Sequence, residues 1–207
     1  MLTLDQLLGF LLAASLITMS PGPDNLLVLS LGMSRGRKQG MAFGLGCALG
    51  CLSHTLLAVV GVSSLLVASP VAFAALRIGG GAYLFWLGVQ ALRNLGGAMV
   101  PTDAPDQSAL QLLWRGVLAN AINPKVMLFF LAFLPQFVAP QRGDVVLQLA
   151  TLGLVFTAQA LVLFGVLGYF AGTVGQWFAR WPRVGLWFDR LAGVIFCALG
   201  VRLMFIN

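Results

Sequence analysis

Charge is what this chain has least of. Only 9% of its 207 residues are charged, against roughly a quarter in an ordinary soluble domain. Hydrophobic residues make up 59%, and mean hydropathy is +0.95. That balance excludes a sizeable water-soluble domain and leaves little chain outside the apolar runs. Histidine occurs once, at His54, and cysteine three times, at Cys47, Cys51 and Cys197, with no Cys-x-x-Cys spacing. So sparse a set supplies no recognisable metal site, and the thiols read as small buried hydrophobes. Cys47 and Cys51 share a helix face, which keeps a thiol-redox or metal-handling membrane protein open as an alternative. The phosphate-loop pattern Gly-x4-Gly-Lys-Ser/Thr is also missing, so ATP hydrolysis has no place to occur. No cofactor and no enzymatic activity are expected.

Net charge is +6, yet the basic residues are scattered at segment ends and form no patch interleaved with aromatics. No nucleic-acid partner is expected; the lipid bilayer is the expected surrounding. The start of the chain has neither a basic leader nor an Ala-x-Ala cleavage site, so Met1 to Met19 is expected to stay as part of a span.

What is present is a series of six apolar segments: Leu7–Met33, Met41–Ala68, Val71–Leu92, Trp114–Val138, Val145–Gly172 and Val184–Ile206. All six read as membrane helices within a single domain, residues 1–207. A polar loop over about 96–112, with Gly96-Gly97, Pro101, Asp103, Pro105 and Asp106, separates a first half of about 1–95 from a second of about 113–207. The halves are weakly alike. Pro23-Asp24 corresponds to Pro124-Lys125, and Gly81-x5-Leu87-Gly88-Val89 to Gly193-x5-Leu199-Gly200-Val201. Three spans per half is an odd number, so the second copy enters the membrane from the opposite side, and an inverted repeat is expected.

Lysine and arginine favour cytoplasmic loops. Arg35, Arg37, Lys38, Arg93, Arg115, Arg180 and Arg183 all fall in loops on one side of the expected topology. Both termini are therefore expected outside the cytoplasm, unless the broken first segment is a re-entrant hairpin.

The first and fourth segments are broken by helix-stopping, charge-bearing stretches: Ser20-Pro21-Gly22-Pro23-Asp24-Asn25 and Asn120-Ala121-Ile122-Asn123-Pro124-Lys125. Proline removes a donor and clashes with the preceding turn, and unwound backbone at membrane depth persists only inside a bundle or beside a cavity. Asn123 before Pro124 reads as an N-cap followed by proline at the first helical position, and Ser20 or Gly22 before Pro23 can do the same. Two half-helix N-termini facing the interior, with Lys125, suit a carboxylate. Asp24 suits an ammonium group or a proton. The alternative is that Asp24 and Lys125 neutralise each other as a permanent ion pair. Asn25, Asn120 and Asn123 can bond a ligand at the same level or cap the broken backbone. His54, well inside the second span, reads as a proton relay or as a packed, hydrogen-bonded histidine.

Glycines at four-residue spacing, Gly36, Gly40 and Gly44, Gly46 and Gly50, and Gly168 and Gly172, mark close helix packing within one protomer or a homo-oligomeric seam. Trp86, Trp114, Trp177, Trp181 and Trp187 fall near segment ends, as interfacial belts do.

The ordered set Ser20-Pro-Gly-Pro-Asp-Asn25, Gly36-Arg-Lys-x-Gly40, Gly44-x-Gly46-x3-Gly50-x3-His54, Gly81-Ala-Tyr-Leu-x-Trp-Leu-Gly88, Asn120-x2-Asn-Pro-Lys125 and Phe133-Leu-Pro-Gln-Phe137 spans nearly the whole chain. In these motifs the sequence resembles the LysE/RhtB family of bacterial amino-acid exporters. The resemblance implies an inner-membrane secondary exporter that expels amino acids or close derivatives in exchange for protons. Homoserine, threonine, leucine, basic amino acids and homoserine lactones are the cargoes it suggests. A passive amino-acid facilitator is the alternative.

Overall fold

A computed structural model describes residues 2–20, 22–62, 69–93, 107–180 and 182–205. Among them all regular structure is helical. Helix α1 (Leu4–Met19) opens with a capping box, in which the Thr3 hydroxyl accepts from Gln6 N and the Gln6 side chain accepts from Thr3 N. It stops at Ser20. Helix α2 (Pro23–Arg35) restarts with proline at the position where a missing N–H costs nothing. The two axes are bent by 58°. Gly36 then turns the chain at φ 94°, a conformation that favours glycine. Helix α3 (Arg37–Leu57) follows and runs on as a π-helical turn, Ala58–Val62.

Helix α4 (Pro70–Arg93) precedes the central polar loop, most of which lies outside the described residues. Helix α5 (Ala109–Ala121) has a second capping box, Ser108 with Gln111. Helix α6 (Pro124–Leu128) continues through a π-helical turn, Phe129–Phe133, and a 3-10 turn, Leu134–Phe137, where Pro135 cannot extend an α-helical ladder. The α5 axis and this segment are bent by 50°. Helix α7 (Val145–Tyr169) is continuous, and α8 (Ala171–Arg180) and α9 (Pro182–Phe205) complete the chain. The sequence reading took the stretch around Thr173 as part of a connection. It is helical, because α8 has its own packing partner in α2.

Among the described residues, three helical stretches are long and apolar enough to cross a bilayer: Arg37–Gly61, Val71–Arg93 and Val145–Tyr169. They become five when each bent pair is taken as one span. The sixth expected segment coincides with α9, although Ile206 and several of its side chains lie outside the described residues.

Small residues set the packing. A Cβ built on Gly46 would lie 2.0 Å from the Leu113 carbonyl oxygen, and one on Gly116 2.2 Å from that of Phe43, so α3 and α5 touch backbone to backbone. Gly50 meets Val117 and Asn120 further along, which makes these two helices parallel. Gly168 meets Met41 while Gly44 meets Phe164, so α7 runs antiparallel to α3. Gly40 meets Gly32 on an antiparallel α2. In the α4–α9 pair, Gly81 meets the Gly200 carbonyl and Gly88 that of Gly193, each contact being reciprocal. Gly36 and Gly172 depart from the expected packing role: Gly36 makes the turn, and a Cβ on Gly172 would meet nothing within 4 Å.

An aromatic cluster fills the space between α1, the α6 segment and α7. Phe130 and Phe156 lie 4.8 Å apart, Phe129 and Phe156 5.4 Å, and Phe10 and Phe137 5.3 Å. Trp86, Trp114, Trp177 and Trp187 are exposed, as a lipid interface requires, and Trp181 lies outside the described residues.

Candidate functional site

The two breaks face each other in the middle of the bundle. α1 ends beside α7, where the Gln159 amide donates to Thr18 Oγ1 at 2.8 Å, and α5 ends against α3. Between them lies a cavity of about 20 Å³, lined by residues that include Asp24, Asn25, Asn120, Asn123, Lys125 and Cys51. A water needs roughly 10–15 Å³ measured this way. The cavity therefore has room for about one water and none for an amino acid.

Asp24, in the first turn of α2, is only 6% exposed. Its Oδ2 accepts from Asn120 Nδ2 at 2.8 Å and from Asn123 Nδ2 at 3.0 Å. Both amides fall on this one oxygen, leaving Oδ1 without either. Amide donors to a carboxylate are charge-assisted and stronger than neutral hydrogen bonds. Such support offsets part of the several kcal/mol that an intramembrane charge costs.

Lys125 is stabilised differently. Its ammonium donates to the Ser20 carbonyl at 2.9 Å and to the Ser20 hydroxyl, and it lies 5.5 Å from the Phe196 ring centroid. The Ser20 carbonyl belongs to the C-cap of α1, the negative end of that helix, where a cation is favoured. Gly22 keeps the approach open, since a Cβ there would sit 3.2 Å from Lys125 Nζ. Among the described residues Asp24 and Lys125 thus make no direct ion pair. Each is held by the backbone break or the amides of the opposite half.

The asparagines serve as caps and as site walls together. Asn123 Oδ1 accepts from Lys125 N at 3.0 Å, which makes it the N-cap of α6, while its amide holds Asp24. Asn25 donates to the Thr18 and Ser20 carbonyls at 2.9 and 2.8 Å, covering the open end of α1. Asn120 has the most contacts: its Oδ1 accepts from Cys51 Sγ at 3.5 Å, and its carbonyl takes His54 Nε2 at 2.9 Å. A carbonyl only accepts, so Nε2 of His54 carries the hydrogen. His54 is fully buried beside Phe130, does not line the cavity, and its Nδ1 is buried without a partner. Pro23 and Pro124 begin the two restarting helices, and Pro21 lies outside the described residues.

A family model for LysE type translocators matches residues 15–206, a stretch that contains both breaks and every residue of this site. The chain belongs to the LysE type translocator family. It is 30% identical over 205 residues to a homoserine/homoserine lactone efflux protein of Salmonella typhi, covering 98% of this chain and 97% of that one. It is 32% identical over 197 residues to a threonine efflux protein of Escherichia coli K12, covering 90% and 91%. An uncharacterized membrane protein of Vibrio cholerae is 32% identical over 197 residues, 95% of each chain. No solved structure matches. With its family and its apolar helices, this translocator is a multi-pass membrane protein.

Several residues that shape the translocator's cavity were not singled out from sequence. Thr18, Ile17, Val126, Phe156 and Phe164 line it, as does Cys51, which the sequence reads as a small buried hydrophobe or a redox or metal-binding thiol. Ser20, expected to act through its backbone, also meets Lys125 through its hydroxyl. Thr18 sits two residues before the break and could have been found there; Phe156 and Phe164 lie in an unbroken apolar helix and carry no local signal.

Proposed function

We propose that this protein is a secondary active exporter of amino acids or close derivatives, driven by counterflow of protons. One observation carries the reading: a buried carboxylate and an ammonium face one small cavity from opposite helix breaks without pairing with each other. A zwitterion presents the complementary charges. In this mechanism Asp24 alternates between a proton and the substrate ammonium, and Lys125 with the restarting ends of α2 and the α6 segment holds the carboxylate. Asn25, Asn120 and Asn123 line the path, and His54 steadies Asn120 from behind. The names of the relatives, efflux of homoserine, homoserine lactone or threonine, favour small hydroxylated amino acids as cargo; a lactone, having no carboxylate, would engage Asp24 through its ammonium alone.

The accompanying architecture is six spans in two inverted halves. The reciprocal Gly81–Gly200 and Gly88–Gly193 contacts support it, because exchanging the corresponding glycines of the halves maps one contact onto the other. So does the course of the first segment. Phe10 lies near Phe137 at one end, Thr18 meets Gln159 near the middle of α7, and α2 ends beside α8 at the other, so the segment crosses the bundle. With the basic ends of α2, α3, α4 and α5 in the cytoplasm, both termini lie outside it, in a bacterial inner membrane.

The test is transport in proteoliposomes containing the purified protein, with a proton gradient and labelled neutral, hydroxylated and basic amino acids and homoserine lactone. Uphill movement of one class with reciprocal proton flow is expected. Downhill movement without proton flow would make the protein a facilitator, and no movement of any of these by folded protein would reject the reading.

A further inference from the structure

We propose that a groove at the basic end of the bundle, between α3, α5 and α7, binds an anionic phospholipid. The parallel α3 and α5 begin at this end and the antiparallel α7 finishes there, which brings Arg37, Lys38, Leu110 and Tyr169 to one opening. The groove measures about 570 Å³, within the range of roughly 300–1,000 Å³ typical of small-molecule sites. It is unrelated to the central cavity and shares no lining residue with it.

Its lining is divided by chemistry. At the mouth, Arg37 Nη1 donates to the Tyr169 hydroxyl at 3.1 Å and its guanidinium lies 5.0 Å from that ring's centroid. Two contacts to one ring fix the planar fork in place before any ligand arrives, and such a fork suits a phosphate diester. Lys38 adds a second exposed cation, and no side chain caps the start of α3 at Gly36, so its first N–H groups add to the positive potential. Deeper in, Met41 and Leu45 on α3 and Leu113 on α5 form an apolar wall, with Leu110 65% exposed beside them.

A phosphate at the cationic mouth and a hydrocarbon chain along that wall satisfy both parts at once. A free phosphate would leave the apolar wall unused. The choline or ethanolamine of a zwitterionic lipid would bring a cation towards Arg37 and Lys38. The orientation proposed above puts this end at the inner leaflet, where anionic lipids attract clustered lysine and arginine.

The test compares thermal unfolding of the detergent-purified full chain with added phosphatidylglycerol, phosphatidylcholine or inorganic phosphate, together with mass spectrometry of co-purified lipid. Phosphatidylglycerol alone is expected to raise the unfolding temperature and to be retained. R37Q/K38Q should lose most of that shift. R93Q/R180Q, which removes as much charge at the same end but outside the groove, should keep it. Y169F, which takes the hydrogen-bond acceptor from Arg37 and keeps the ring, should fall between and serves if the double variant fails to fold. Equal shifts with both lipids, a shift reproduced by inorganic phosphate, or full selectivity in R37Q/K38Q or Y169F would overturn the proposal.

Discussion

The Lys125 ammonium donates to the Ser20 carbonyl at 2.9 Å, so a charge from the second half of the chain closes a helix end in the first. Asp24 repeats the pattern in the other direction through Asn120 and Asn123. Removing either charge therefore tests transport and the clasp between the halves together, and the substitution has to be chosen to separate them.

For Asp24, the separating change is Asp24→Asn. It keeps size and one acceptor oxygen for the two amides but cannot carry a proton or pair with an ammonium. Export driven by a proton gradient should be lost while membrane insertion and monodispersity in detergent stay intact. Full coupled export by this variant would remove Asp24 from the mechanism.

Lys125 calls for a pair of variants. Lys125→Gln retains a donor for Ser20 and should fold close to normally yet fail to export. Lys125→Met removes the charged donor to Ser20 and leaves the carbonyl only its bond from Asn25. A hydrogen bond to a charged group is worth about 1.5–3 kcal/mol, so the unfolding temperature should fall as well. Equal stability of the two would show that the Ser20 contact contributes little.

Asn120 is the one side chain that touches Asp24 and Cys51 while its backbone takes His54. Cys51→Ser preserves a donor to the Asn120 side-chain Oδ1 and should export normally, as should a cysteine-free chain with serine at position 51 and serine or alanine at positions 47 and 197. Cys51→Val removes the donor and should lower the rate of export. Loss of activity in the cysteine-free protein, measured in the same vesicles, would restore the thiol-based alternative.

Glycine substitutions should divide by clearance. Gly46→Ala places a methyl carbon 2.0 Å from the Leu113 carbonyl and should force α3 and α5 apart, with a clear drop in unfolding temperature. Gly79→Ala meets nothing within 4 Å, and alanine is favoured over glycine in a helix by roughly 0.5–1 kcal/mol. It should be neutral or stabilising.

Much of this was legible because the decisive signals are local. Pro23 and Pro124 break helices wherever they stand, and Asn123 before Pro124 spells a cap by itself. The glycine spacing in α3 and α7 foretold close packing, and the structure finds it at Gly40, Gly44, Gly46, Gly50 and Gly168. What sequence left open was decided by tertiary approach. Whether Asp24 meets Lys125 depends on the angle between two bent segments, and here the amides of Asn120 and Asn123 occupy the carboxylate instead. From sequence His54 reads as a packed histidine before a proton relay, and only its bond to the Asn120 backbone carbonyl locates it behind the cavity. Phe156 and Phe164 look like any lipid-facing phenylalanine until α1 and α2 are laid against α7. The helicity of α8 was missed because its polar, glycine-containing sequence reads as a connection unless α2 is beside it.

The small size of the central cavity has a bearing on affinity. Its charged groups are already satisfied by Ser20, Asn120 and Asn123, so an arriving solute competes with the protein's own atoms for each contact and gains only the difference. If the proposed site takes the solute, it would bind weakly even when its chemistry is well matched. In the proposed export cycle, weak holding would be an advantage: the internal ligands that resist loading would be the same ones that return to displace the solute on the far side.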